Sequence, residues 1–304
     1  MVSKKPVALV VGASRGIGRQ VAVDLARNGY AVVVAAKTIS DTSNLPEPFP
    51  PNPNSSASTI TTVAREITSA GGDATAFQVD VRYPESIDAL TYGRLDVLIY
   101  NSGAIFWAPV SSTPVKRFQL MQRVNPEGLY ATVQAVLPHI SSSGRIVVVS
   151  PPIYSRFFRG KTAYAMGKVG MSVLTKGLAM DFEREGKKDM AITSIWPAVA
   201  IESAATEKFT AKNPEEANDL RKAAIFSDAI LEILKASPSV VNGELLLDED
   251  FLREHAGITD FSRYNVIPGA SPRRIMPQRL PDLTVAEQAD EGNRYDSTKD
   301  KPKL

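Results

Sequence analysis

The chain has 304 residues, 43% of them hydrophobic, enough to bury a full core as one large domain or two small ones, which excludes wholesale disorder. Its 35 basic and 33 acidic residues leave a formal net charge of +2, so no global field recommends nucleic acid, an anionic membrane or a polyanionic substrate. There is no cysteine, which excludes disulfides, thiolate metal sites, iron–sulfur clusters and cysteine nucleophiles together. The two histidines, His139 and His255, lie far apart without carboxylates at ligand spacing, so no metal site is expected.

Residues 1–11 place two lysines before a short apolar run, which superficially imitates a secretion signal. The run lacks a small-residue cleavage site and leads directly into a glycine turn, as a buried strand does. No stretch is long and apolar enough to span a membrane, and a cytoplasmic protein is the expectation. The last three residues, Pro302-Lys303-Leu304, match a peroxisomal address except that proline stands where a small residue is usual.

Short apolar, β-branched runs are expected as strands at 7–11, 30–35, 74–79, 96–100, 145–149, 191–195 and 244–247. Several are apolar on successive residues, which suits a parallel sheet covered on both faces by crossover helices. The spacing predicts those helices at 16–28, 58–70, 114–140, 162–184 and 226–235, with Gly29 and Gly71-Gly72 placed where helix ends favour glycine. The expectation is an α/β, Rossmann-like, doubly wound parallel sheet of seven strands in a single domain over residues 1–255. A proline-rich loop at 39–56 interrupts it, and a proline- and charge-rich extension, partly irregular, follows at 256–304.

The first strand runs into Gly12-Ala13-Ser14-Arg15-Gly16-Ile17-Gly18 and then an amphipathic helix. Glycines permit positive backbone angles and close approach of a ligand, while the helix N-terminus offers free amides and partial positive charge to a pyrophosphate. The second strand ends Ala35-Ala36-Lys37-Thr38, without the acidic residue that holds an NAD ribose. Lys37 and Arg15, with Ser14, suit the 2′-phosphate of NADP(H), which is favoured over NAD(H); the alternative is that the two cations are simply solvated.

Strand 145–149 delivers Ser150, and the helix at 162–184 carries Tyr164-Ala165-Met166-Gly167-Lys168. Four residues make about one helical turn, so phenol and ammonium share a face. A phenol with an ordinary pKa of about 10 becomes usable as acid and base when positive charge favours its phenolate. Ser150 is expected to donate to the substrate oxygen. The same tyrosine-to-lysine spacing recurs at Tyr295 and Lys299, with neither a strand-end serine nor an amphipathic helix around it.

With these pieces together the chain resembles the short-chain dehydrogenase/reductase family over roughly residues 6–255. The resemblance implies that Gly12, Gly16 and Gly18 form the pyrophosphate turn, Asp80-Val81 lie beside the adenine and Asn101-Ser102-Gly103 beside its ribose. It further implies that Asn125 supports a proton relay to the lysine, that Ser150, Tyr164 and Lys168 are the reacting trio, and that Pro197 begins the segment over the nicotinamide. Ala35-Ala36-Lys37-Thr38, Ser150-Pro151-Pro152 and Ile195-Trp196-Pro197 point to a narrower group within the family. Departures are Val11 for a threonine, Tyr100 for an asparagine, Ala198 for a glycine, and a crossover between Asp80 and Asp96 barely as long as a parallel connection needs.

Phe106 and Trp107 follow the fourth strand, and Tyr154, Phe157 and Phe158 fill the loop before Tyr164. They suit an apolar carbonyl or alcohol substrate, or alternatively a core or subunit contact. Arg156, Arg159 and Lys161 offer an acidic group a third possibility. An assembly of two or four copies through helices 114–140 and 162–184 is implied by the resemblance. Two other functions stay open: a catalytically silent nucleotide-binding regulator or scaffold, and a dehydratase or epimerase of nucleotide sugars using the same tyrosine and lysine.

Overall fold

A computed structural model of the chain describes residues 5–40, 54, 57–88 and 93–286. Most of the expected proline-rich loop, the pair Tyr295 and Lys299, and the terminal Pro302-Lys303-Leu304 lie outside the described residues. The elements in order are β1 (Val7–Val11), α1 (Gly16–Arg27), β2 (Ala31–Ala36), α2 (Ile60–Ser69), β3 (Asp73–Gln78), α3 (Pro84–Asp88) and β4 (Leu95–Tyr100). Next come α4 (Val115–Gln122), a π-helical segment (Arg123–Glu127), α5 (Gly128–Val136), β5 (Ile140–Val149), α6 (Thr162–Arg184) and β6 (Ala191–Trp196). The described part ends with α7 (Glu207–Thr210), α8 (Ala224–Lys235), α9 (Pro238–Val241), β7 (Leu245–Leu247) and α10 (Asp248–Ala256).

All seven strands pair in parallel in the order β3-β2-β1-β4-β5-β6-β7, the doubly wound arrangement expected. The side chains show why the runs are apolar on successive residues. Ala8, Val10, Val34, Ile99 and Val147 point to a core completed by Val21 and Leu25 of α1, Ile60 of α2, Phe226 and Ile230 of α8 and Phe251 of α10. Leu9, Val11, Leu98, Ile146 and Val148 point the other way, onto Leu129 and Val133 of α5 and Met171 and Phe182 of α6. Each of these valine, leucine, isoleucine, methionine and phenylalanine side chains, fully buried, contributes about 1.5–3 kcal/mol. The strand order reverses between β1 and β4, so the turns after these two strands meet at one crevice, where open α/β sheets bind ligands.

Four local differences from the sequence expectation have physical causes. The single helix expected over 114–140 is broken by the π-helical segment, where Pro126 lacks the amide that an uninterrupted helix needs. It stops at Val136, and β5 begins at Ile140: Leu95 pairs with Ile140, the register then shifts, and Val97 pairs with Arg145. The short crossover holds a five-residue helix, α3, whose Ile87 is buried in the α5 and α6 side of the core. Finally, α10 was not foreseen; Asp248, Glu249 and Asp250 stand in its first turn against the helix dipole, and Gly257 ends it at φ +66°.

Beyond α10 the described chain folds back on the sheet end. Arg274 pairs with Val199 as an isolated antiparallel bridge and makes two hydrogen bonds to Asp250, at 2.7 and 2.6 Å. Met276 is buried against Ala198, Leu247, Tyr154 and Trp196.

Candidate active site

One continuous cavity of about 910 Å³ opens at the carboxyl ends of β1, β2, β4, β5 and β6. At one end Gly12 takes φ +87° immediately after β1, and a Cβ there would lie 2.6 Å from the Ser102 amide nitrogen. Gly18 is tighter still: a Cβ would sit 2.2 Å from the Gly12 carbonyl oxygen and 2.6 Å from Asn101 Nδ2. That oxygen accepts a 3.0 Å hydrogen bond from Asn101 Nδ2, and the Asn101 amide donates to Val11 O at 2.9 Å. Asn101 thus stitches the turn after β4 to the turn after β1, leaving a bare backbone cradle at the start of α1. Such a cradle fits a dinucleotide pyrophosphate.

Ser14, Arg15, Gly16 and Ile17 line this end, together with Ala36, Lys37 and Thr38 after β2. Ser58 donates to the Ser14 carbonyl at 2.6 Å and fixes the turn from behind. Neither the Arg15 guanidinium nor the Lys37 ammonium has an ion-pair partner within salt-bridge distance among the described residues. Asp80 and Val81 line the same wall, and Asp80 is clasped by Arg82. The hydrogen bond from Arg82 holds the Asp80 carboxyl below its usual range, with Lys37 adding in the same direction.

Toward the middle, Asn101, Ser102 and Gly103 line the wall, and Asn125 stands behind Ala104. Asn125 is fully buried on the π-helical segment, accepting from the Ala104 amide at 2.8 Å and donating to the Ala104 carbonyl at 3.1 Å. Tyr100, the departure at the end of β4, explains how the segment is held. Its buried hydroxyl donates to Val124 O at 2.7 Å, and a Cβ on Gly128 would come within 2.7 Å of that hydroxyl.

Tyr164 and Lys168 project from α6 into the cavity. Lys168 Nζ donates to Val149 O at 2.8 Å, and a Cβ on Gly103 would lie 3.3 Å from Nζ and 3.6 Å from Asn125 Oδ1, so the three meet at one point. Burial raises the Tyr164 phenol above its ordinary value and pushes the Lys168 ammonium down to about 7. Both groups are therefore drawn toward their neutral forms.

Ser150 requires a correction: it was expected among the groups facing substrate, and the structure does not bring it there. It is fully buried, 2.7 Å from Ser194 Oγ of β6 and 3.0 Å from Ser172 Oγ of α6, behind the cavity wall. Ser194 also donates to the Ser150 carbonyl at 2.6 Å. The hydroxyl ties β5, β6 and α6 together one residue beyond the carbonyl that holds Lys168.

The aromatic residues divide. Phe106 and Trp107 line the cavity, while Phe157, with Tyr154 and Phe158, packs around Tyr164. Trp107 meets Tyr164 edge-on and stacks on Phe209 of α7, both at 6.2 Å between centroids. Phe209, Ser203 and Trp196 are cavity residues that pattern reading did not assign. Pro197 lines the wall beside Trp196. A four-residue helix such as α7 has too few turns to show a periodicity. No cluster of metal-ligating side chains occurs among the described residues, and no helix of those residues is long and apolar enough to cross a membrane.

This fold and site define a class, and comparison with known proteins agrees: the family model described as short chain dehydrogenase matches residues 6–50 and 53–214, and the chain belongs to that family. Among individual relatives, hydroxysteroid dehydrogenase-like protein 2 of Mus musculus is 34% identical over 92% of this chain and 54% of its own length. The Homo sapiens protein of that name is 34% identical over 86% of this chain and 60% of its own. This is the narrower group to which the runs at Ala35, Ser150 and Ile195 pointed. The chain thus spans between half and two thirds of the length of these relatives. A solved short chain dehydrogenase from Mycobacterium thermoresistibile, 30% identical, superposes with a TM-score of 0.75 over 88% of this chain and 93% of its own.

Proposed function

We propose that the chain is an NADP(H)-dependent oxidoreductase that interconverts a carbonyl compound and its alcohol. The observation that carries this reading is the single cavity joining the glycine cradle to Tyr164 and Lys168. A bound nicotinamide supplies or accepts the hydride. For reduction, the Tyr164 hydroxyl gives its proton to the substrate oxygen as the carbonyl carbon is reduced; for oxidation it takes that proton back. Lys168 returns the proton to Tyr164 from its ammonium, and Asn125 with Gly103 holds the entrance of that path. Arg15 and Lys37 favour a 2′-phosphate at the far end, where Ala36 leaves no carboxylate to repel it. Phe106, Trp107 and Phe209 favour an apolar substrate body.

The reading as a silent nucleotide-binding protein makes a different prediction. Consumption of NADPH and reduction of NADP⁺ over a panel of carbonyls and alcohols is expected to show turnover that Tyr164→Phe lowers by at least a hundredfold with cofactor binding intact. Cofactor binding with no tyrosine-dependent turnover would sink the enzyme. In the same assay Ser150→Ala is expected to keep activity within about tenfold, whereas loss of a donor to the reacting oxygen costs about 10²–10³ in kcat.

A homodimer or homotetramer fits the outer faces of α5 and α6. Met166, Val173 and Met180 form a stripe along α6 at seven-residue intervals, and Tyr130 stands exposed on α5.

A further inference from the structure

Lys161 immediately precedes α6, three residues before Tyr164, and its environment is unusual for a lysine. Its Nζ lies 4.2 Å from the centre of the Phe157 ring and 5.3 Å from that of Trp107. Both rings also pack on Tyr164, each at 6.2 Å between centroids. No carboxylate or hydrogen-bond acceptor of the described residues engages this ammonium. Lys161 is half-buried, and that burial lowers its pKa.

Ring faces recover only part of what a half-buried ammonium loses on leaving water. A carboxylate arriving at Nζ would complete the group with a charge-assisted hydrogen bond, roughly twice as strong as a neutral one. Arg117 stands over the Phe106 ring at 5.7 Å, a second cation beside these aromatic residues. A lysine presents one compact charge rather than a bidentate fork, so a single carboxylate oxygen suffices to complete it between aromatic walls.

We propose that Lys161 binds the carboxylate end of the substrate, so that the substrate class is a keto or hydroxy acid with an apolar body between its two polar ends. The carbonyl or alcohol lies at Tyr164, the apolar body along Trp107 and Phe106, and the carboxylate at Lys161. The assignment of Tyr164 rests on the oxidoreductase reading; the anion site does not need turnover to be tested.

The chain has two tryptophans, Trp107 and Trp196, and both line the cavity, so intrinsic fluorescence reports binding there. Titration of the full chain with decanoate and with methyl decanoate is expected to give at least tenfold tighter binding of the acid. Lys161→Gln is expected to abolish that preference and Lys161→Arg to retain it, with thermal melting showing that both variants fold. Equal affinity for acid and ester, or an undiminished preference in folded Lys161→Gln, would overturn the proposal. Preference for the acid in a chain that shows no turnover would remove the oxidoreductase reading and leave the anion site standing.

Discussion

Lys168 concentrates the electrostatics of the site. Its ammonium is pushed down to about 7 by burial, whereas in the unfolded chain it titrates near 10.5. Between these values the unfolded chain binds the proton that the folded chain has released, so this group makes stability rise as pH rises from about 7 toward 10. Below about 7 both states are protonated and the contribution is constant. In the cofactor-free protein, Lys168→Met is expected to remove this rise; melting temperatures of both proteins across that window check it, and parallel curves would contradict the burial effect. Tyr164 responds in the opposite sense, its proton held more firmly by the same burial. A charge-driven drop in the phenol pKa therefore has to come from protonated Lys168 or from what binds beside it.

At the scale of elements, the π-helical segment determines where Asn125 points. One extra residue in the turn carries Asn125 toward Ala104, and Tyr100 braces the widened turn from the sheet through Val124 O. Tyr100→Phe leaves that buried carbonyl without its donor and is expected to cost about 1–2 kcal/mol in urea unfolding. A kcat loss below tenfold with KM unchanged is expected alongside it, since Asn125 shifts while the substrate walls do not. Pattern reading found the helix here but not its break, because Pro126 inside an otherwise apolar, periodic run gives no sign that neighbours will re-satisfy the backbone.

The same limit explains Ser150. Its place at a strand end was legible, but strand-end residues alternate sides, and a one-residue difference decides whether the hydroxyl meets the cavity or Ser194. The glycine turn, by contrast, was legible in full, because φ +87° at Gly12 and the 2.2 Å clearance at Gly18 are demands that only glycine meets. The helix α10 carried readable signals, three acids at its start and Gly257 at its end, that the short spacing after β7 concealed.

At the scale of the whole molecule, Met166, Val173 and Met180 form an exposed apolar stripe along α6. Val173, 58% exposed at the middle of the stripe, is where a second copy is expected to pack. Val173→Arg is expected to convert the proposed dimer or tetramer to the mass of one chain in light scattering, with the melting temperature reduced. An unchanged mass would move the subunit contact elsewhere. The described part of the C-terminal extension serves the single chain instead: Arg274 and Met276 clamp Asp250, Ala198 and Trp196, closing the end of the sheet from which the Ser203 to Phe209 segment departs.

The cradle at Gly12 and the aromatic pair of Trp107 and Phe209 belong to one continuous cavity. On the proposed function this one space holds the dinucleotide at the glycine cradle and the carbonyl compound beside Trp107 and Phe209 at the same time. Initial-velocity patterns that intersect rather than run parallel are the expected kinetic signature of that shared room.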